Sequence, residues 1–373
     1  MFDAKRVISM KAIIVAIVLT TLVLSGCVGP RGWPGAAVDG DTLFVGTMDG
    51  RVLALNPDSG VRIWQWKPEA EEAGSFLDCA GGGQFGAGMS YGIPVVADGT
   101  VYVSAYNGKV YAIDADSGSD VWNYDTDSSI AGGVTVAGDT LFVGTSDGEL
   151  HAIDVASGES KQDFPFQTEK KIWSTPVVQD GTVYFGSLDH RLYAVDAGTG
   201  ELKWDFETDG GIASPPLVVG GVVYVGSFDS KFYAVDAYTG EEKWAFDQAG
   251  NWFWSEALYE EGIIYACSLD YHVYAIDAGS GELVWATPFD TGGPIKSSPV
   301  IVGDVLVVAS EAGIVYGIEP DSGEEVWDFD LEFKVLAPLC ASGTEVYLNA
   351  QDNRLYTFDG ATGQQGWSVS LVE

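Results

Sequence analysis

A 24-residue pattern recurs eight times along this chain. The copy from Val223 to Phe246 reads VYVGSFDSKFYAVDAYTGEEKWAF, and the others begin at Leu43, Val101, Leu141, Val183, Ile264, Leu306 and Val346. Apart from one gap of 58, successive copies start 40 to 42 residues apart. A fixed period of that size, made of short strands, is the signature of a radially repeated array. One such unit cannot bury its own apolar faces, so the units must stack. The expectation is an all-β, eight-bladed propeller of four-stranded antiparallel blades over residues 34–373. The register starts on the first strand of one blade and ends on the fourth strand of another, so closure should rest on docking of blade 8 against blade 1.

The unit from Trp173 to Phe206 shows how a blade is written. Ser174 to Val178 enters the first strand, and Asp180-Gly181 turns the chain. Val183 to Ser187 alternates at period two, as a strand does. Leu188 to His190 is a hairpin turn, where other copies carry Asp49-Gly50, Asn107-Gly108 or Asp147-Gly148. Leu192 to Asp196 is the third strand and Glu201 to Phe206 the fourth. The glycine of the last turn is present in every copy: Gly60, Gly118, Gly158, Gly200, Gly240, Gly281, Gly323 and Gly363. A turn needing positive φ accounts for it. Four residues earlier stands Asn56, Asp114, Asp154, Asp196, Asp236, Asp277, Glu319 or Asp359, each placed to cap its own turn rather than to share a calcium ion.

Four residues after that glycine comes Trp64, Trp122, Trp204, Trp244, Trp285, Trp327 or Trp367. The third repeat has Gln162 there, with Phe164 and Phe166 nearby. A tryptophan buries roughly 150–250 Å², so these seven are expected to be structural docking residues between blades.

Acidic residues outnumber basic ones by 54 to 18, a formal charge of −36. Such a surface argues against nucleic acid, whose affinity rests on Lys and Arg, and against anionic lipid. It suits solubility in a salty medium, or a partner with a basic face. Cys79, Cys267 and Cys340 have no CxxC spacing, and His151, His190 and His272 lie in separate repeats, so no metal signature is read.

Residues 1–26 read as a targeting segment. Lys5, Arg6 and Lys11 precede an apolar run from Ala12 to Ser25, too short to span a bilayer comfortably. The run ends in Leu24-Ser25-Gly26-Cys27, which resembles the lipobox of bacterial and archaeal lipoproteins. That resemblance implies lipidation of Cys27, a short tether over 27–33, and a propeller held close to a membrane outside the cytoplasm.

The run Y-A-[VI]-D-A-x-[TS]-G-E-x-x-W, seen at Tyr193 to Trp204, Tyr233 to Trp244 and Tyr274 to Trp285, resembles the tryptophan-docking repeat of the quinoprotein, or PQQ-type, β-propellers. In that family each Trp docks on the neighbouring blade. Here Ala54, Ala112, Ala152, Ala194, Ala234 and Ala275 would give it room. Two branches follow from the resemblance. Quinoprotein dehydrogenases bind pyrroloquinoline quinone (PQQ) and calcium and often carry an adjacent Cys-Cys pair, which this chain lacks. The other branch is the eight-bladed outer-membrane assembly lipoproteins, similar to this chain in blade number, length and lipobox. The second implies a non-catalytic, monomeric scaffold for protein partners at the membrane, with no cofactor; the first implies a PQQ-binding redox enzyme or sensor.

Function should lie where the repeat is broken. Ten residues before each repeat start sit Trp33, Tyr91, Ala131, Trp173, Ala213, Trp254, Lys296 and Leu336. Lys170, Lys171 and Lys334 lie just upstream of this ring. Glu256 replaces the Ser, Thr or Pro usual at its place. Asn251 to Trp254 is the densest aromatic cluster, with Trp252 beside Trp254. These residues form the candidate binding face, an aromatic funnel rimmed with Lys that suits a peptide or planar anionic ligand. The competing reading is that the aromatics fill the propeller centre. The one long insertion, 67–90, joins blades 1 and 2 and could cap the funnel. No catalytic residue is nominated.

Overall fold

The computed structural model describes residues 34–68, 92–161 and 166–372. The leader over 1–26, Cys27, the tether, Trp33, Tyr91, Gln162, Phe164 and nearly all of the 67–90 insertion, Cys79 included, lie outside these residues. The described chain forms eight four-stranded antiparallel sheets, each built from four consecutive strands. The blades occupy 36–66, 95–125, 134–161 with 166–167, 177–207, 217–246, 258–290, 300–330 and 340–370. Strands of the two ends of the chain share no blade, so the ring closes without a swapped strand.

The core is divided into eight apolar layers, each contributed by two neighbouring blades. Phe44, Ala54 and Trp66 of blade 1 pack with Val101, Val103 and Tyr111 of blade 2. Tyr347 and Leu355 of blade 8 pack with Leu43, Val45 and Leu53 of blade 1. This is the stacking that the repeat required.

The tryptophans clasp neighbouring blades as the sequence predicts. Trp64, Trp122, Trp204, Trp244, Trp285, Trp327 and Trp367 donate their Nε1–H to the carbonyls of Ala115, Val155, Ala237, Ala278, Pro320, Gly360 and Pro57, at 2.8–3.1 Å. Trp64, Trp122, Trp204 and Trp244 each sit opposite an alanine of their own third strand, where the register shifts. A bulge there turns the ring out of the pleat. Each turn acid stays in its own turn: Asp114 Oδ1 accepts the Ser117 N–H at 2.8 Å, and Asp277 Oδ1 that of Ser280 at 2.7 Å.

A second set of clasps was not read from the sequence. Two residues beyond Trp64, Trp122, Trp204 and Trp244, the rings of Trp66, Tyr124, Phe206 and Phe246 meet Tyr111, His151, Tyr233 and Tyr274 of the following blade, and Phe166, four residues beyond Gln162, meets Tyr193, all at 4.9–5.8 Å between ring centroids. Blade 3 therefore keeps this contact through Phe166 although its repeat carries Gln162 in place of Trp.

Closure has its own polar lock. Arg51, buried in blade 1, donates through Nη2 to the Leu371 carbonyl at 2.6 Å, through Nη1 to Gln65 Oε1 at 3.1 Å, and through Nε to the Asp49 carboxylate at 2.9 Å. Asn349 Nδ2 donates to the Pro34 carbonyl at 2.7 Å.

Candidate functional site

The segments joining one blade to the next share a face with the turns between second and third strands. Each connection first drives an apolar side chain between blades: Ile130, Ile172, Ile212, Phe253, Ile295 and Val335 are all fully buried. These side chains use space that small residues leave; a Cβ on Gly186 would lie 2.1 Å from Ile212, and one on Gly226 2.2 Å from Phe253. Burial then alternates along the connection, so Trp173 and Thr175, or Trp254 and Glu256, stay half-exposed between buried neighbours. These alternate residues face the axis. A Cβ on Gly35 would point between Ile93 and Pro338, and one on Gly133 between Thr175 and Gly92, at 3.0–3.4 Å. Gly35, Ile93, Gly133, Thr175, Pro215, Glu256, Ser298 and Pro338 thus form one axial ring, with Glu256 its single ionisable member.

Above that ring the aromatics converge. Trp173 and Trp254 lie two blades apart with only the small Ala213 between them, and their ring centroids are 6.4 Å apart. Phe228, in the hairpin turn of blade 5, is sandwiched between Trp252 at 4.4 Å and Trp254 at 5.6 Å, both stacked on it. The run Trp252–Phe228–Trp254–Trp173 is continuous across the entries to blades 4 to 6. Lys171 Nζ lies over Trp173 at 5.5 Å and Lys296 Nζ over Trp254 at 6.0 Å. Both are within cation–π range.

The lysine rim differs from the sequence expectation. Lys296 and Lys334 both reach Glu311 at 3.0 Å, from its two carboxylate oxygens. Hydrogen bonds and charge from the two lysines outweigh desolvation and lower the Glu311 pKa. Two of the four lysines therefore spend much of their charge inside the protein, which weakens the case for an anionic ligand. Lys170 is exposed on the connection into blade 4, and its carbonyl accepts from Thr168 Oγ1 at 2.5 Å.

Glu256 has no hydrogen-bond or ion-pair partner among the described residues, and desolvation raises its pKa to about 7. Its folded value lies above that of an unfolded glutamate, so between about pH 4.5 and 7 the folded state holds a proton that the unfolded chain has lost. Stability falls as pH rises through that window and levels off above it. Glu256→Gln is expected to stabilise the protein by on the order of 2 kcal/mol at pH 8 and by little at pH 4.5. Melting curves of both proteins at the two pH values check this; an equal gain at both would contradict a titrating Glu256.

The structure brings Trp173, Trp252, Trp254 and Glu256 together with Lys171, Lys296 and Lys334. Phe228 and Glu311 complete the arrangement and were missed, because both sit in hairpin turns rather than in the connections. Comparing the turn residues Met48, Tyr106, Ser146, Leu188, Phe228, Leu269, Glu311 and Gln351 across repeats would have exposed them. Cys267 is buried and Cys340 half-buried, as small apolar residues in strands. Among the described residues no group of three or more His, Cys, Asp or Glu could hold a metal ion.

Residues 25–164, 165–255 and 269–373 match the family described as outer membrane protein assembly factor BamB. The Pseudomonas aeruginosa BamB is 33% identical over 91 residues, covering 24% of this chain and 19% of that protein. The quinohemoprotein alcohol dehydrogenase of Comamonas testosteroni is 30% identical over 101 residues, covering 27% of this chain and 13% of the enzyme. The chain thus aligns with under a fifth of either relative's length. Among solved structures, BamB from Moraxella catarrhalis superposes with a TM-score of 0.67 at 21% identity, over 88% of this chain and 91% of that one. The computationally designed Ika8 protein superposes at 0.72 with 16% identity, over 88% and 96%. The chain belongs to the BamB family of PQQ-type β-propellers.

Proposed function

We propose that this protein is a non-catalytic scaffold, lipid-anchored through Cys27 on the extracytoplasmic side of a membrane, that binds a protein partner in envelope protein assembly. The observation that carries the reading is the aromatic run Trp252–Phe228–Trp254–Trp173 on the connection face, with Trp252 43% exposed. Exposed tryptophans beside a rigid apolar base are the usual anchors of protein interfaces. The family supports the assembly role, since its model and the Pseudomonas aeruginosa relative are both described as outer membrane protein assembly factors.

Cross-linking in native membranes tests this. The wild-type protein is expected to yield a discrete partner adduct, and the Trp252→Ala/Trp254→Ala double variant to lose most of it at equal abundance. Undiminished recovery from the double variant would remove the aromatic face from the reading.

The alignment with the quinohemoprotein enzyme motivates a second reading, a PQQ ligand in the same funnel. Against it, Lys296 and Lys334, the cations that would meet an anionic quinone, are engaged by Glu311. The absorbance spectrum after incubation with PQQ and calcium, then exhaustive dialysis, separates the readings. Retention of about one quinone per chain would favour the redox branch.

A further inference from the structure

The turn between second and third strands of every blade puts one residue at positive φ. Four blades use glycine there: Gly50, Gly108, Gly148 and Gly313. His190, Ser230 and Asn353 replace it in three more. Blade 6 has Tyr271, at φ 83°. A bulky residue in that region is a backbone outlier whose cost must be offset elsewhere. Burial does not offset it, because Tyr271 is 46% exposed.

Trp252 is tied to the same turn. Its carbonyl accepts the Leu269 N–H at 2.9 Å, two residues before Tyr271. Two large exposed aromatics therefore stand on adjacent elements. One is braced by stacking on Phe228, and the other is held where glycine would be easier.

The elements around them are acidic. Asp209 lies on the connection into blade 5, Asp229 and Asp270 in the hairpin turns of blades 5 and 6, Asp247 on the connection into blade 6, and Asp290 at the end of the fourth strand of blade 6, opposite His272. Bases lie here too: Lys231, paired with Asp209 at 3.3 Å, His272 beside Asp270, and Lys171 and Lys296 over Trp173 and Trp254 at the far end of the run from Trp252. Aromatic faces in a negative surround favour cations, and the flat guanidinium of arginine stacks on them best. A chain carrying −36 would draw such a group in from a distance.

We propose that Trp252 and Tyr271 anchor an arginine-bearing, basic segment of the protein partner. This rests on the protein-binding reading of the same face and names the chemistry of what docks there.

The test titrates the full chain in detergent with acetyl-Arg-Gly-Arg-Gly-Arg-amide and follows tryptophan fluorescence. Saturable binding that weakens with salt is expected, with a glutamate peptide of the same length giving none. Trp252→Ala and Tyr271→Gly should each weaken binding roughly three- to tenfold. Tyr271→Gly should keep or raise the melting midpoint, because glycine suits φ 83°. Lost affinity in a protein of undiminished stability separates a docking role from a structural one. Unchanged affinity in both variants, or equal binding of the glutamate peptide, would overturn the proposal. A face that cross-links its partner through Trp252 and Trp254 yet ignores the arginine peptide also overturns it, while leaving the protein-binding reading in place. Peptide binding through Trp252 and Tyr271 with undiminished partner recovery would keep the cation site and remove that reading.

Discussion

Trp244→Ala is expected to cost the folded state about 3–5 kcal/mol. The indole is buried between blades 5 and 6, donates to the Ala278 carbonyl at 3.0 Å, and lies in one apolar cluster with Tyr224, Phe253 and Ile276. Removing it opens a cavity in a layer that only two thin blades can collapse to fill, and leaves the Ala278 carbonyl with the Tyr224 hydroxyl, at 3.1 Å, as its donor. The glycine it covers gives an independent check. Gly281 has φ +75°, and a Cβ there would lie 2.7 Å from Cδ2 of Trp244. Gly281→Ala should therefore be destabilised as well, by turn strain and by pushing the indole away. Denaturant unfolding measures both; a Trp244→Ala midpoint matching the wild type would refute the docking role.

Arg51→Met is expected to cost about 1–3 kcal/mol, concentrated at the seam between blades 8 and 1. The guanidinium is buried, and its loss strands the Leu371 carbonyl and leaves Asp49 without its cation. The Asp49 carboxyl, whose pKa is lowered by its bonds to Arg51 and Thr47 against the cost of burial, would lose much of that support. Methionine fills a similar volume, so the deficit is mainly polar. Hydrogen exchange locates it: protection of Gln365–Ser370, the outer strand of blade 8, should fall more than that of the equivalent Glu325–Asp330 in blade 7. Uniform loss across blades would show that Arg51 supports the whole ring rather than the closure.

These two cases mark how far a one-dimensional reading reaches. Trp244 was legible as a docking residue because its neighbours recur at fixed spacing, and periodicity reports which side chains meet the same environment. Arg51 was not, because its partner Leu371 is 320 residues away and is met through its carbonyl, which no side-chain pattern reports. The second aromatic clasp was periodic too, but Trp66, Tyr124, His151 and Phe166 vary in type, so the conserved contact hid behind unlike letters.

The candidate face divides in the same way. Trp173, Trp254 and Lys296 were found because they occupy one register position, and the structure brings Trp254 within contact of the other two. Their consequences were not readable. The contact between Trp173 and Trp254 depends on how small Ala213 is and how tightly eight blades curve. The clamp of Lys296 and Lys334 on Glu311 joins a connection to a turn of a different register class. The strain at Tyr271 is a property of φ, which no residue name reports until its turn is built.

The sequence by itself determined the blade count, the strand order and the clasping tryptophans. Each of these follows from local pattern and from the need to bury apolar faces between like units. Only the tertiary structure decided which lysines are paired within the protein, which carboxyl is left alone on the axis, and which aromatics stand exposed. Those depend on distances between residues far apart in sequence, set by the closure of the ring.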